Sequence, residues 1–145
     1  MKRFVKCLCL ILAMSFCLAI PAAAAEEAAP YGSSYFSSRD AYLWRTSSTS
    51  CQAWFEITAT RGMAELGADY IEIERSSDGV NWSYVTTFDR SDYSNMIAYN
   101  TGDHCSYVTF SEMVPGYQYR MYVHFYAKDS SGNTAGSGAY GYFAN

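Results

Sequence analysis

Glu72 and Glu74 stand two residues apart in an alternating stretch, so an extended chain would carry both carboxylates on one side, their Cα atoms about 7 Å apart. That spacing suits the acid pair of a glycoside hydrolase, provided a cleft surrounds it. His104 beside Asp103, read as a solvated residue of a polar turn, and His124 between Tyr122 and Tyr126, read as an outward residue in a cross-strand ladder, are the two candidate general bases. A serine hydrolase would also need a nucleophile on a sharp turn, and no Gly-x-Ser-x-Gly elbow occurs. Asp89 with Asp92, or Asp129 with Asn133, could donate oxygens to calcium, but neither pair has the dense acidic spacing of a calcium loop. The scattered cysteines and histidines make no four-ligand zinc pattern. No cofactor or metal is expected, and isolated carboxylates and histidines on strands are ordinarily solvated, so the chain is expected not to be an enzyme.

Aromatic side chains are the stronger signal. The first 25 residues have the form of an export signal: a basic start (Lys2, Arg3, Lys6), an apolar run over residues 7–20 and a small-residue cleavage site at Ala23-Ala24-Ala25. Residues 26–145 then hold 14 Tyr, 3 Trp and 6 Phe, Phe4 and Phe16 having left with the signal. Losing Lys2, Arg3 and Lys6 takes the 10 basic residues to 7 against 14 acidic ones, a charge of −7. Such a surface repels phosphates, so nucleic acid is not an expected partner. Beyond the signal no apolar stretch approaches the ~18 residues of a membrane span, and the product is expected to be secreted and extracellular.

The elements that position these rings read as strands. Apolar residues recur every second position in several short runs separated by Gly, Asp, Asn and Ser clusters, an all-β pattern. Residues 26–38 lack that periodicity and read as a mobile leader, with the domain spanning 39–145. In residues 51–60 the alternation sends Cys51, Ala53, Phe55, Ile57 and Ala59 inward. In 70–75 it does so for Ile71 and Ile73, and in 117–128 for Tyr119, Met121, Val123, Phe125 and Ala127. Residues 62–67 have room for one helical turn at most. Ser76-Ser77-Asp78-Gly79 predicts a hairpin returning through residues 82–88, and the sequon Asn81-Trp82-Ser83 marks the end of that hairpin. Short strands are expected at 95–99, 107–110 and 139–143. The same parity turns Tyr70, Tyr122, Tyr126, Tyr140 and Tyr142 outward on one sheet and Tyr42, Trp44, Trp54 and Tyr107 outward on the other. Rings so placed either stack against sugar faces and partner proteins or simply cover neighbouring backbone.

About seven short strands with frequent turns predict a β-sandwich, with a small barrel as the competing closure. Met113-Val114-Pro115-Gly116-Tyr117-Gln118-Tyr119 resembles the corner before the sixth strand of fibronectin type III modules. In that resemblance Tyr119 ties its hydroxyl back to the backbone while its ring covers the end of the core. Residues 71–82, Ile71-Glu72-Ile73-Glu74-Arg75-Ser76-Ser77-Asp78-Gly79-Val80-Asn81-Trp82, are similar to the third-strand hairpin of bacterial members, and the format looks like that of small stand-alone secreted proteins of Gram-positive bacteria. The likeness implies an immunoglobulin-like, fibronectin type III-like fold and carries no chemistry with it.

Cys51 and Cys105 remain after signal removal. An exported pair favours a disulfide, whereas strand parity points the two side chains to different faces, so the bridge stays open at this level. The expected function is that of a secreted non-catalytic binding or interaction module whose target is a polysaccharide or a surface protein. The alternatives are a small secreted glycosidase-like enzyme and a structural wall or matrix component; no Leu-Pro-x-Thr-Gly-like sorting signal follows the last strand.

Overall fold

A computed structural model describes residues 34–144, and the expected export signal and most of the expected leader lie outside the described residues. Six strands follow one another: β1 (Phe36–Arg45), β2 (Cys51–Ser76), β3 (Ser83–Asp89), β4 (Ile97–Phe110), β5 (Gln118–Lys128) and β6 (Thr134–Phe143), with one short 3-10 turn, Ser94–Met96, ahead of β4. The protein is all-β, as the alternation predicts. β1 opens at Phe36, three residues before the expected start of the domain.

Six strands replace the expected seven or so because two pairs of predicted strands are continuous. Residues 51–60 and 70–75 belong to one 26-residue strand, β2, and residues 95–99 and 107–110 fall together on β4 and the turn before it. β2 works on two sides of the molecule. Its first half pairs antiparallel with β1 and β4 (Tyr42 opposite Trp54, Trp54 opposite Tyr107), and its second half with β3 and β5 (Ile71 opposite Phe88 and Val123). Register shifts at Thr58/Met63 and Ala68/Tyr70 turn the strand between the two settings. Leu66-Gly67-Ala68 are all buried, which suspends the two-residue alternation where β4 and β5 flank β2 on both edges. That suspension is why the segment does not read as strand in sequence. A Cβ on Gly67 would lie 1.9 Å from the Met96 carbonyl oxygen, so only glycine admits the chain entering β4 there.

β5 pairs antiparallel with β6, and β6 returns to β1 through a short parallel contact at Tyr42–Tyr142 and Leu43–Phe143. The pairings thus close a circuit of four strands, β1–β6–β5–β2, with β3 and β4 added to β2 outside it. Inside lies one core, led by Leu43, Phe55, Ile57, Leu66, Ile71, Ile73, Met121, Val123 and Phe125. Each apolar residue assigned inward on residues 51–60, 70–75 and 117–128 is buried. The Phe55 and Phe125 rings meet edge to face at 6.4 Å across the middle.

Two connections are built by side chains. The Tyr119 hydroxyl accepts the Val114 backbone N–H at 2.7 Å while its buried ring packs on Phe110, as the corner pattern implies. Asp129, at the β5–β6 turn, accepts from the Ser131 and Asn133 backbone and from the Tyr35 hydroxyl, and pairs with Arg61, fastening the chain before β1 to the far turn. The Asn133 side chain and the Tyr35 hydroxyl lead in holding its carboxyl down at about 2.

Candidate functional site: two aromatic faces and an end hollow

On the outer face of β1, the first half of β2 and β4, cross-strand pairing sets three rings in one row. Tyr42 and Trp54 are parallel within 4° at 6.2 Å between centroids, and Trp54 and Tyr107 approach to 4.5 Å. Trp44, one row along, is 55 % exposed and lies opposite Gln52. Polar groups border the row on both sides. Trp54 donates its indole N–H to Gln52 at 3.0 Å, while Glu56 receives the Tyr42 hydroxyl at 3.5 Å and the Cys105 thiol at 3.6 Å. Partial burial, followed by the Glu56 charge, raises the Tyr42 hydroxyl above its ordinary value, so it stays protonated as a donor. Among the described residues no cation forms an ion pair with Asp40, Glu56 or Asp103 on this face.

The opposite face, on β3, the second half of β2, β5 and β6, carries more rings and ties them up. Tyr70 stacks on His124 at 5.0 Å and lies 6.2 Å from Tyr122, which in turn meets Tyr140 at 5.1 Å. Arg120 pairs with Glu74 and sits between the Trp82 and Tyr140 rings, 4.4 Å from each. Arg90 lies over Tyr126 at 4.3 Å and pairs with Asp69 at 3.1 Å; Lys128 pairs with Glu65 at 3.0 Å. Burial alone would lower the Arg120 pKa, but the bonds to Glu74 and Tyr142 outweigh it and raise it. Gly138, opposite His124 on β6, leaves the space that the Tyr122 ring fills: a Cβ there would meet the Tyr122 hydroxyl at 1.9 Å. These rings cover backbone and cations.

The predicted carboxylate pair is divided by this arrangement, since Glu74 is committed to Arg120. His124 brings Nδ1 to 3.5 Å from Asp69 without a hydrogen bond to it. His104 is not a solvated turn residue: it lies within β4, meets the Phe55 ring at 5.5 Å and holds Nε2 2.9 Å from the Asn95 carbonyl. Asp89 caps its own turn by accepting the Ser91 N–H, and Asn81 donates its amide to Asp78. Among the described residues no group of three or more His, Cys, Asp or Glu is placed to hold a metal ion, and no helix is long and apolar enough to cross a membrane.

Cys51 and Cys105 are free, which corrects the bridge considered above. Register is the reason: Cys51 pairs with Phe110 and points into the core, while Cys105 lies opposite Glu56 and faces out, five β4 residues away. Burial pushes the Cys51 thiol up to about 11 and also raises that of Cys105, so neither is an activated nucleophile.

Trp82 is a ring that sequence parity did not assign to a face. It meets Tyr142 at 6.5 Å and lines an open hollow of about 410 Å³ with Arg45, Gly79, Tyr117, Gln118, Tyr119, Tyr142 and Phe143. An aromatic three residues after the Asp78-Gly79 turn was the available signal. No protein-family model matches the chain, and no curated protein matches it.

Proposed function

We propose that the protein is an exported, non-catalytic binding module with a fibronectin type III-like sandwich fold, and that its target is a polysaccharide. The fold reading is supported by the Tyr119 corner, while the closed circuit β1–β6–β5–β2 favours the small-barrel closure as its alternative. One observation carries the function: Tyr42, Trp54 and Tyr107 form an unbroken outward row across three strands, bordered by an amide and a carboxylate. Rings on rigid strands offer apolar area to sugar C–H faces at little entropic cost, and Gln52 and Glu56 supply hydrogen bonds for hydroxyls alongside. Ion pairing of Glu74 and the engagement of both histidines within the fold favour binding over hydrolysis.

Sedimentation with insoluble cell-wall polysaccharide tests the reading. Wild-type protein is expected in the pellet and Trp54→Ala in the supernatant, folded and with a melting temperature lowered by no more than a few degrees. Equal retention of Trp54→Ala and Tyr107→Ala would remove the ring row as the binding surface.

A further inference from the structure

The hollow at the end of β1 and β6 shares no lining residue with the Tyr42–Trp54–Tyr107 row, although its Tyr142 pairs in register with Tyr42, and it has different chemistry. Its walls are Trp82 and Tyr142, set edge to face, with Tyr117, Phe143 and the Gln118 amide. Arg45 is exposed and lines the hollow, its guanidinium 4.5 Å from the Phe143 ring centroid, and Arg75 lies 4.9 Å from the Tyr117 ring centroid. Among the described residues neither arginine has an acidic partner, in a chain whose acidic residues outnumber its basic ones. Arg120 behind Trp82 is neutralised by Glu74. The nearest carboxylate in the hairpin turn, Asp78, is occupied by the Val80 and Asn81 backbone N–H groups, the Asn81 amide and the Ser76 hydroxyl. Gly79, in the left-handed region at φ 76°, keeps that turn clear of Gln118: a Cβ would come within 3.1 Å of its amide.

An unpaired guanidinium over the Phe143 ring on the wall of the hollow, with a second over its Tyr117 ring, is complementary to a ligand that is both planar-faced and anionic. We infer that this hollow binds a carboxylate-bearing saccharide, a uronic acid unit of an acidic polysaccharide, with the sugar face against Trp82 and Tyr142 and the carboxylate on Arg45. A guanidinium meets a carboxylate through two parallel N–H bonds, and a ring already under it limits the entropy lost on binding. The inference does not depend on binding at the Tyr42–Trp54–Tyr107 row.

Titration calorimetry of the purified protein with a galacturonic acid trimer, against the neutral galactose trimer and an acidic peptide of equal charge, tests it. The uronate is expected to bind with an affinity that falls as salt rises. Arg45→Glu is expected to weaken it about tenfold or more, Arg45→Lys less so, and Trp82→Ala strongly, while Trp54→Ala leaves it unchanged. Melting curves of each variant separate lost binding from lost fold. Equal affinity for the neutral trimer or the peptide, no binding of the uronate, or full affinity in a folded Arg45→Glu would overturn the assignment. Failure of retention in Trp54→Ala with intact uronate binding would bear on the ring row alone.

Discussion

On the face of β3, the second half of β2, β5 and β6, Glu65, Asp69 and Glu74 each have a cationic partner, and arginines lie over Tyr126, Trp82 and Tyr140. On the face of β1, the first half of β2 and β4, the rings touch one another, and Asp40, Glu56 and Asp103 have no ion pair among the described residues. The two faces are built from the same residue types in the same strand geometry. What separates them is the placement of a scarce resource: residues 26–145 contain seven basic side chains, and Arg90, Arg120 and Lys128 all fall on one face. Where a cation sits on a ring and binds a carboxylate, the aromatic surface is a packing device. Where cations are missing, the rings and acids are left for a partner.

The contrast can be broken most forcefully at Arg120. Arg120→Leu leaves Glu74, whose side chain is 21 % exposed, without its partner and uncovers two rings, and it is expected to cost roughly 2–3 kcal/mol, read as a lowered urea midpoint. A loss no larger than that of Trp54→Ala would erase the distinction between the faces. Gly138→Ala, which drives a methyl into the Tyr122 ring, is expected to cost about 2 kcal/mol by the same measurement. On the opposite face Trp54→Ala removes a half-buried ring with space around it and is expected to cost about 1 kcal/mol or less while abolishing polysaccharide retention.

The smallest effect sharpens the comparison through pH. The Lys128 hydrogen bond lowers the Glu65 pKa below its ordinary 4.5, so the folded state binds this proton less readily than the unfolded chain. Its stabilising contribution is therefore present above about pH 4.5 and is lost as pH falls through the lower folded value. Glu65→Gln should reduce stability at pH 7 by less than about 1 kcal/mol, since the pair is partly solvated, and should converge with wild type in strong acid. A constant difference from pH 7 to pH 2, followed by thermal melts, would show that the ion pair is not the source.

Much of the fold was legible because a strand with one buried side must alternate. Phe55 and Ile57, Ile71 and Ile73, and Val123 and Phe125 lie in the core to which their parity assigned them. The corner tyrosine was anticipated by resemblance, residues 113–119 being similar to a known corner pattern, and the Tyr119 hydroxyl does accept the Val114 N–H. Alternation fails at Leu66-Gly67-Ala68, all buried with β4 and β5 on both edges, which is why residues 62–67 offered room for one helical turn at most and proved to be the middle of β2. His104 was misjudged for a related reason: its polar neighbours suggest a turn, and only the pairing of β4 with Ile57 shows that it faces inward.

The candidate sites divide along the same line. The nine rings Tyr42, Trp44, Trp54, Tyr70, Tyr107, Tyr122, Tyr126, Tyr140 and Tyr142 were assigned to two faces by period alone, because side-chain direction in a strand is a property of the chain itself. Whether those rings touch, which of them arginine covers, that Trp82 joins Tyr142 at the end hollow, and that Cys51 and Cys105 stand apart all depend on register between strands distant in sequence. Register is set by the packing of the whole core and by glycines such as Gly67 and Gly138 at close approaches, and so by tertiary structure rather than by any local pattern.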